Sequence, residues 1–250
     1  MNIFDFEIVN SYPALWNEES GSVVVSDLHL GLEGLLAEEG TYFPKFQLEG
    51  VKEDLGNIFA HEEASRLIIV GDLKHEFSKA SYFERKEIEE FLNFLEDLVG
   101  NIIILKGNHD NYLMYSVEGR ENVALEDIYI DNRICYFHGH QDDLGLERTD
   151  AEIFVMGHEH PAIVLRDEVG VEEKFRVFLH GELEGGRKII VMPAFSKLAS
   201  GNRVNGVPKT ELLSPFLKRH ADLGRMKPVA VHEDSEPLGF PKLSDLEEFL

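Results

Sequence analysis

The 250-residue chain carries 24 Lys and Arg against 47 Asp and Glu, a formal charge of −23, with 43% apolar and 28% charged residues. That composition belongs to a globular domain with a well-solvated surface, and the charge gives polyanions no long-range attraction, which weighs against capture of duplex DNA unless a local basic patch or bound cations reverse the sign. No apolar run approaches the roughly 20 residues that span a bilayer, the acid-bearing first residues lack the basic flank of a secretion signal, and the single Cys135 has no partner for an intramolecular disulfide, so a cytoplasmic, reducing compartment is expected. With no linker, repeat or low-complexity segment, one domain is expected over residues 1–250, carrying its motifs between about 20 and 200 and a C-terminal extension over about 201–250.

The first clear element is an apolar run, Ser22-Val-Val-Val-Ser-Asp-Leu-His29, read as a strand that ends in Asp27 and His29. The mixed segment 31–47 follows it directly and is placed to form a wall of any pocket there. From residue 48 the apolar positions Val51, Leu55, Ile58 and Phe59 recur at helical spacing, which returns the chain to a second buried strand, Arg66-Leu-Ile-Ile-Val70. That strand delivers Gly71-Asp72 and, three residues on, His75. A second helix is expected over 79–98, with Phe83, Ile88, Phe91, Leu92, Leu95 and Leu98 inward and Glu84, Arg85, Lys86, Glu89 and Glu90 outward. It leads to a third strand, Asn101-Ile-Ile-Ile-Leu105, ending in Asn108, His109 and Asp110. Strand–helix–strand crossovers imply parallel strands, whose carboxyl ends open onto a crevice where ligands bind.

Beyond residue 123 the texture changes to short strands, expected at 127–130, 133–137, 152–156, 162–165, 174–180 and 187–192. They form a second, antiparallel or mixed sheet, and since each sheet must bury a face while helices cover the parallel one, the expected fold is α/β: a layered α-β-β-α sandwich of two mixed sheets flanked by helices. The tail from Pro208 holds five of the nine prolines and ends in a helix-like stretch over 242–250.

The late strands stop as the early ones do, at His138 and at His158 and His160. Burying so many polar groups together is costly unless something coordinates them. Carboxylates, an amide oxygen and imidazoles suit divalent ions such as Mn²⁺, Fe²⁺ or Zn²⁺, and the lack of thiolates excludes a Cys-type structural zinc site. Seven candidate ligands are too many for one tetrahedral ion and suit two ions sharing a carboxylate, an arrangement used for in-line displacement at phosphorus. No Gly-X-X-X-X-Gly-Lys loop, Gly-X-Gly-X-X-Gly fingerprint, Gly-X-Ser-X-Gly elbow or His-Glu-X-X-His helix is present to support other chemistries. His61, His180, His220 and His232 are read as ordinary core or surface residues.

The ordered set Asp27-Leu-His29, Gly71-Asp72-Leu-Lys-His75, Gly107-Asn-His-Asp110, His138-Gly139 and Gly157-His-Glu-His160 resembles the signature of the calcineurin-like metallophosphoesterases. The Gly-Asp-X-X-His and Gly-Asn-His-Asp forms are nearest to the small relatives of the SbcD-type repair exonuclease branch and unlike the protein Ser/Thr phosphatases. The resemblance implies one metal on Asp27, His29, Asp72 and His160, and Asp72 bridging to another on Asn108, His138 and His158. It implies that His109 stands beside the leaving-group oxygen, that Asp110 orients it and that His75 lies near the substrate phosphate, with His140 an unassigned neighbour. It implies two divalent ions, Mn²⁺ first with Fe²⁺, Ni²⁺, Co²⁺ or Zn²⁺ as alternatives. The expected activity is a phosphodiesterase on nucleotide-like or short, single-stranded nucleic-acid phosphodiesters. The alternatives are a phosphomonoesterase and a non-catalytic metal- or nucleotide-binding member of the same fold. Only about fifty residues follow Ser200, too few for the capping domain and partner-binding extensions of the repair nucleases, so a monomer or simple homo-oligomer is expected.

Overall fold

The chain begins with three strands that its sequence does not advertise. The computed structural model describes residues 1–34, 46–77, 82–142, 145, 149–167, 169–183, 185–232 and 235–249. In it β1 (Asn2–Ile3), β2 (Phe6–Ile8) and β3 (Leu15–Asn17) are two or three residues long, too short to show a period. They meander antiparallel into β4 (Ser22–Val25). From there the sheet is parallel, through β5 (Arg66–Val70), β6 (Asn101–Leu105) and β7 (Val123–Glu126). The crossovers are α1 (Gln47–His61) and α2 (Tyr82–Leu98), as the apolar spacing predicts, and a short α3 (Met114–Val117) precedes β7. Residues 35–45 and 78–81, which include most of the expected pocket wall and the start expected for α2, lie outside the described residues.

The strand expected at 127–130 is present as one strand of the second sheet, and a further strand, not expected, precedes it in the first. β7 closes the first sheet and β8 (Ile128–Asp131) opens the second, pairing antiparallel with β9 (Ile134–Phe137), so the chain changes sheets at Asp127. β7 was missed because Val123-Ala-Leu-Glu126 is four residues with no clear alternation. The second sheet continues with β10 (Ile153–Met156), β11 (Pro161–Arg166), β12 (Glu172–Glu182), β13 (Lys188–Val191) and β14 (Asn202–Arg203) in the spatial order β14-β11-β12-β13-β10-β9-β8. β9, β10 and β13 are parallel within it. The tail adds α4 (Pro215–His220), β15 (Lys227–Ala230), which pairs with β12, and β16 (Leu238–Gly239). The helix expected at the end is a 3-10 helix, Leu243–Phe249.

Three apolar layers result. Val23, Val25, Leu67, Ile69, Ile102 and Ile104 face Val51, Leu55 and Ile58 of α1 and Ile88, Phe91, Leu92 and Leu95 of α2. The alternate residues Val24, Ile68, Val70, Ile103 and Leu105 face Tyr136, Ile153, Val155, Phe178 and Ile190 of the second sheet. Because both faces are covered, the strands read as continuous apolar runs. Fully burying each such side chain contributes about 1.5–3 kcal/mol. The outer face of the second sheet packs on Phe216, Leu217, Leu243 and Leu246, so the tail is itself the fourth layer. The architecture is the expected α-β-β-α sandwich of two mixed sheets. Among the described residues no helix is long and apolar enough to cross a membrane.

Candidate metal centre

β4, β5 and β6 of the first sheet and β9 and β10 of the second deliver their carboxyl ends to one rim. The loops after β4 and β5 continue the strand pairing: the N–H groups of Asp27, His29 and Leu30 donate to the carbonyls of Gly71, Asp72 and Leu73, and that of His75 donates back to Leu30. Asp27 and His29 are thereby held beside Asp72. The second sheet closes in from the other side, with the N–H groups of Phe195 and Ser196 donating to Ser26 and Asp27. Asp27, His29, Asp72, His158 and His160 all have left-handed backbone, with φ between 46° and 67°. Each such residue costs on the order of 1–3 kcal/mol, and strain of this kind collects where side chains must be aimed. Gly157 allows the close approach, since a Cβ there would collide with Ser26 Oγ and Asp27 Oδ2.

Two sets of ligand atoms converge and share one residue. Asp27, His29, Asp72 and His160 form one and Asp72, His138 and His158 the other, the atoms of each set lying within 4.8 Å of one another. Asp27 Oδ1 is 3.0 Å from His138 Nε2 and 3.1 Å from His160 Nε2. Asp72 Oδ2 is 3.4 Å from His138 Nε2 and 3.9 Å from His29 Nε2. Burial drives the His29 and His158 imidazoles down to about 3, so both are neutral at neutral pH, as a metal ligand must be. Burial also pushes Asp72 up to about 7, against the attraction of His138. Asp27 is buried too, but His160 and His138 beside it hold its carboxyl well below the usual range. Against their own burial, the carboxylates raise His138 and His160, with Asp27 acting on both.

The residues present fit a pair of divalent ions. Asn108 Oδ1 is buried and accepts no hydrogen bond, a loss of about 1–3 kcal/mol for an amide oxygen unless a cation takes it up. Imidazole nitrogens of His29 and His160 stand 3.3 Å apart, donors turned toward a common point. A third set, His29, His75 and His109, competes for His29, whose Nδ1 is 3.3 Å from His75 Nδ1. One neutral ring offers a single lone pair, so His29 serves one set at a time.

His75, His109 and Asp110 lie together beside these sets, but Asp110 differs from expectation. His109 places Nε2 at 3.8 Å from Asp72 Oδ2, its N–H donates to Asp72 Oδ1 at 3.0 Å, and burial lowers its pKa to about 4. Its ring is held by the His75 carbonyl oxygen at Nδ1. Asp110 does not touch the ring: its buried carboxylate accepts from the N–H groups of Gly107 (2.8 Å) and Lys74 (3.2 Å). His140 Nδ1 lies 3.1 Å from His138 Nδ1, making it a neighbour of a ligand. His180 and His220 pack instead on Phe4 and Phe216.

Several residues that build the site carry no legible signal. Gln47 Nε2 lies 2.9 and 3.0 Å from the carbonyl oxygens of Leu28 and His29. Glu33 Oε1 accepts from the N–H groups of Phe46 and Gln47 at the start of α1, satisfying donors a helix leaves open. Glu84, expected on the solvent face of α2, is buried and accepts from the N–H groups of His75 (3.1 Å) and Glu76 (2.8 Å). Glu159 is fully buried and accepts from the N–H groups of Leu213 and Ser214 and from Asn202 Nδ2. Only Glu159 had a sequence cue, its place between His158 and His160.

A family model described as "Calcineurin-like phosphoesterase" matches residues 22–192. No curated protein matches the chain. Among solved structures the chain is similar to the nuclease MPE of Pseudomonas putida, at 15% identity and a TM-score of 0.61 over 93% of each chain. It is also similar to YfcE, a phosphoesterase from E. coli, at 19% identity and a TM-score of 0.41 over 72% of this chain and 83% of that one. At these identities the first likeness is one of fold.

Proposed function

The chain belongs to the calcineurin-like phosphoesterase family, and on that premise we propose that it is a two-metal phosphodiesterase acting on nucleotide-like or short single-stranded nucleic-acid phosphodiesters. The observation that carries the reading is Asp72, which belongs to both ligand sets. Asp27, His29, Asp72 and His160 would hold one ion, and Asp72, Asn108, His138 and His158 the other. Two divalent ions, Mn²⁺ first and Fe²⁺, Ni²⁺, Co²⁺ or Zn²⁺ as alternatives, supply phosphoryl charge stabilisation and an acidified water. His109 handles the proton of the leaving group. A carbonyl only accepts, so Nδ1–H is committed to His75 O, and the neutral ring turns a bare Nε2 toward the site. Nε2 takes up the proton that the attacking water gives up and releases it to the departing alkoxide, which leaves as the alcohol. Asp110 positions His109 through the loop backbone, and His75 lies on the substrate side of His29.

The test is turnover of bis-p-nitrophenyl phosphate by protein loaded with each of the five metals. Turnover that disappears on chelation is expected, and none with any metal overturns the reading. Faster cleavage of p-nitrophenyl phosphate than of the diester favours a phosphomonoesterase instead. Weak action on duplex DNA and better action on single strands follow from the charge of −23. A cytoplasmic monomer or simple homo-oligomer completes the proposal; Cys135 is buried and pushed up to about 12 by that burial, so it stays a thiol in a reducing compartment.

A further inference from the structure

The loop that carries Asn108 and His109 goes on to present large apolar side chains to solvent. Tyr112, Met114 and Tyr115 are 55%, 60% and 68% exposed, and Phe77, whose ring packs on His109, is 53% exposed. Such a group beside a site marks a surface that receives something. The Phe77 and His109 ring centroids are 3.6 Å apart with the planes tilted by 32°. The Tyr112 and Tyr115 rings lie 6.4 Å apart and within 15° of parallel. Asn111 joins the two groups, its Nδ2 lying 3.0 Å from the Phe77 carbonyl oxygen and 3.3 Å from that of Asn108. Tyr112 has a left-handed φ of 68°, unusual for an aromatic residue and a cost retained where its ring is needed in place.

A cavity of about 540 Å³ opens from Asn111, lined by Tyr112, Tyr115 and Arg85, within the range of small-ligand sites. Among the described residues its one lining carboxylate, Glu89, is paired with Arg120 at 2.8 Å. Among the described residues Arg85 has no ion-pair partner, although the chain has 47 acidic residues. Flat exposed rings together with an unpaired guanidinium match the two parts of a nucleotide, base and phosphate. Bases in a duplex have their faces covered, so only unpaired bases are available to such rings.

Resting on the diesterase reading, we infer that Phe77, Tyr112 and Tyr115 form a stacking ledge for unpaired nucleobases on the His109 side of the site, with Arg85 supplying charge for an adjoining phosphate. Short-range stacking then replaces the long-range attraction that the acidic chain lacks. The ledge selects base-bearing diesters over simple ones.

The experiment is fluorescence anisotropy of the full chain, in chelator so that no strand is cut, with labelled hexathymidylate and with an abasic hexamer of the same charge. The abasic strand should bind more weakly by roughly 5- to 150-fold, the range of one base stacked on an aromatic ring. Tyr115→Ala should cost hexathymidylate a similar factor and leave the abasic strand unchanged, while Tyr115→Phe keeps the discrimination. Arg85→Gln should weaken both strands alike. Ile130→Ala, an exposed apolar side chain on β8, should change nothing. Equal binding of the two strands, no binding of either, or an equal loss of both with Tyr115→Ala overturns the ledge. Turnover of bis-p-nitrophenyl phosphate by metal-loaded protein separates the readings: turnover without base discrimination sinks the ledge alone, and discrimination without turnover sinks the diesterase alone.

Discussion

The two sheets meet at the metal centre but brace their ligands by different means. In the first, the braces come from the crossover helices: Gln47 of α1 holds the carbonyls of Leu28 and His29, and Glu84 of α2 holds the N–H groups of His75 and Glu76. In the second, they come from the tail. Glu159 accepts from Leu213, 54 residues away, and the Ser214 hydroxyl donates to the Gly139 carbonyl, 75 residues away. The braces of the first sheet's ligands thus come from within its own strand–helix–strand units. Those of the second come from the last layer of the sandwich, so truncating or loosening the tail acts on histidines far from it in sequence.

The largest effect is expected at the one residue that both halves use. Asp72→Asn replaces the shared carboxylate by a neutral amide, so both ions should be lost together, measured as metal content by mass spectrometry, and diester turnover should vanish. Loss of one ion alone would show that the sets do not share Asp72. Next comes His109→Ala, which removes a proton carrier and no proposed ligand. Both ions should stay, turnover of diesters with poor leaving groups should fall on the order of 10²–10⁴-fold, and p-nitrophenyl esters should lose less; equal losses on both would refute the proton role.

The braces themselves give the third test. Glu159→Ala should lower metal affinity about 10- to 100-fold for both ions, because His158 and His160 belong to different sets. It also strands buried N–H donors at about 1–3 kcal/mol each. Gln47→Ala should weaken only the ion held by His29. Titration calorimetry would show two shifted sites in the first variant and one in the second; the same pattern in both would remove the distinction drawn between the sheets. The smallest effect is expected from Ser214→Ala, which removes the hydroxyl that accepts from the Leu217 N–H at the start of α4 and donates to the Gly139 carbonyl. About 1 kcal/mol should be lost, read from the urea midpoint.

The legible part of the site was the part written in consecutive residues. An apolar run that stops at Gly-Asp, Gly-Asn-His or Gly-His names a buried strand and what it delivers, because both follow from local chain chemistry. The strand ends read this way include all seven residues proposed as ligands. Glu84 was misplaced because helical period sorts residues only into inward and outward, and an inward acid that meets two N–H groups looks like a solvent-facing one out of register. β1, β2 and β3 escaped because two or three residues carry no period, and β7 because its four residues show no alternation.

By itself, then, the sequence determined which strands are buried and which polar side chains stand at their ends, since burial and chain reversal are settled by neighbours a few residues apart. Only the tertiary structure decided that His109 leans on the His75 carbonyl while Asp110 holds the loop, and that Glu159 is clamped by the tail. These are hydrogen bonds and contacts between groups that one backbone geometry brings together, many of them across dozens of residues, and no spacing along the chain encodes which groups will meet.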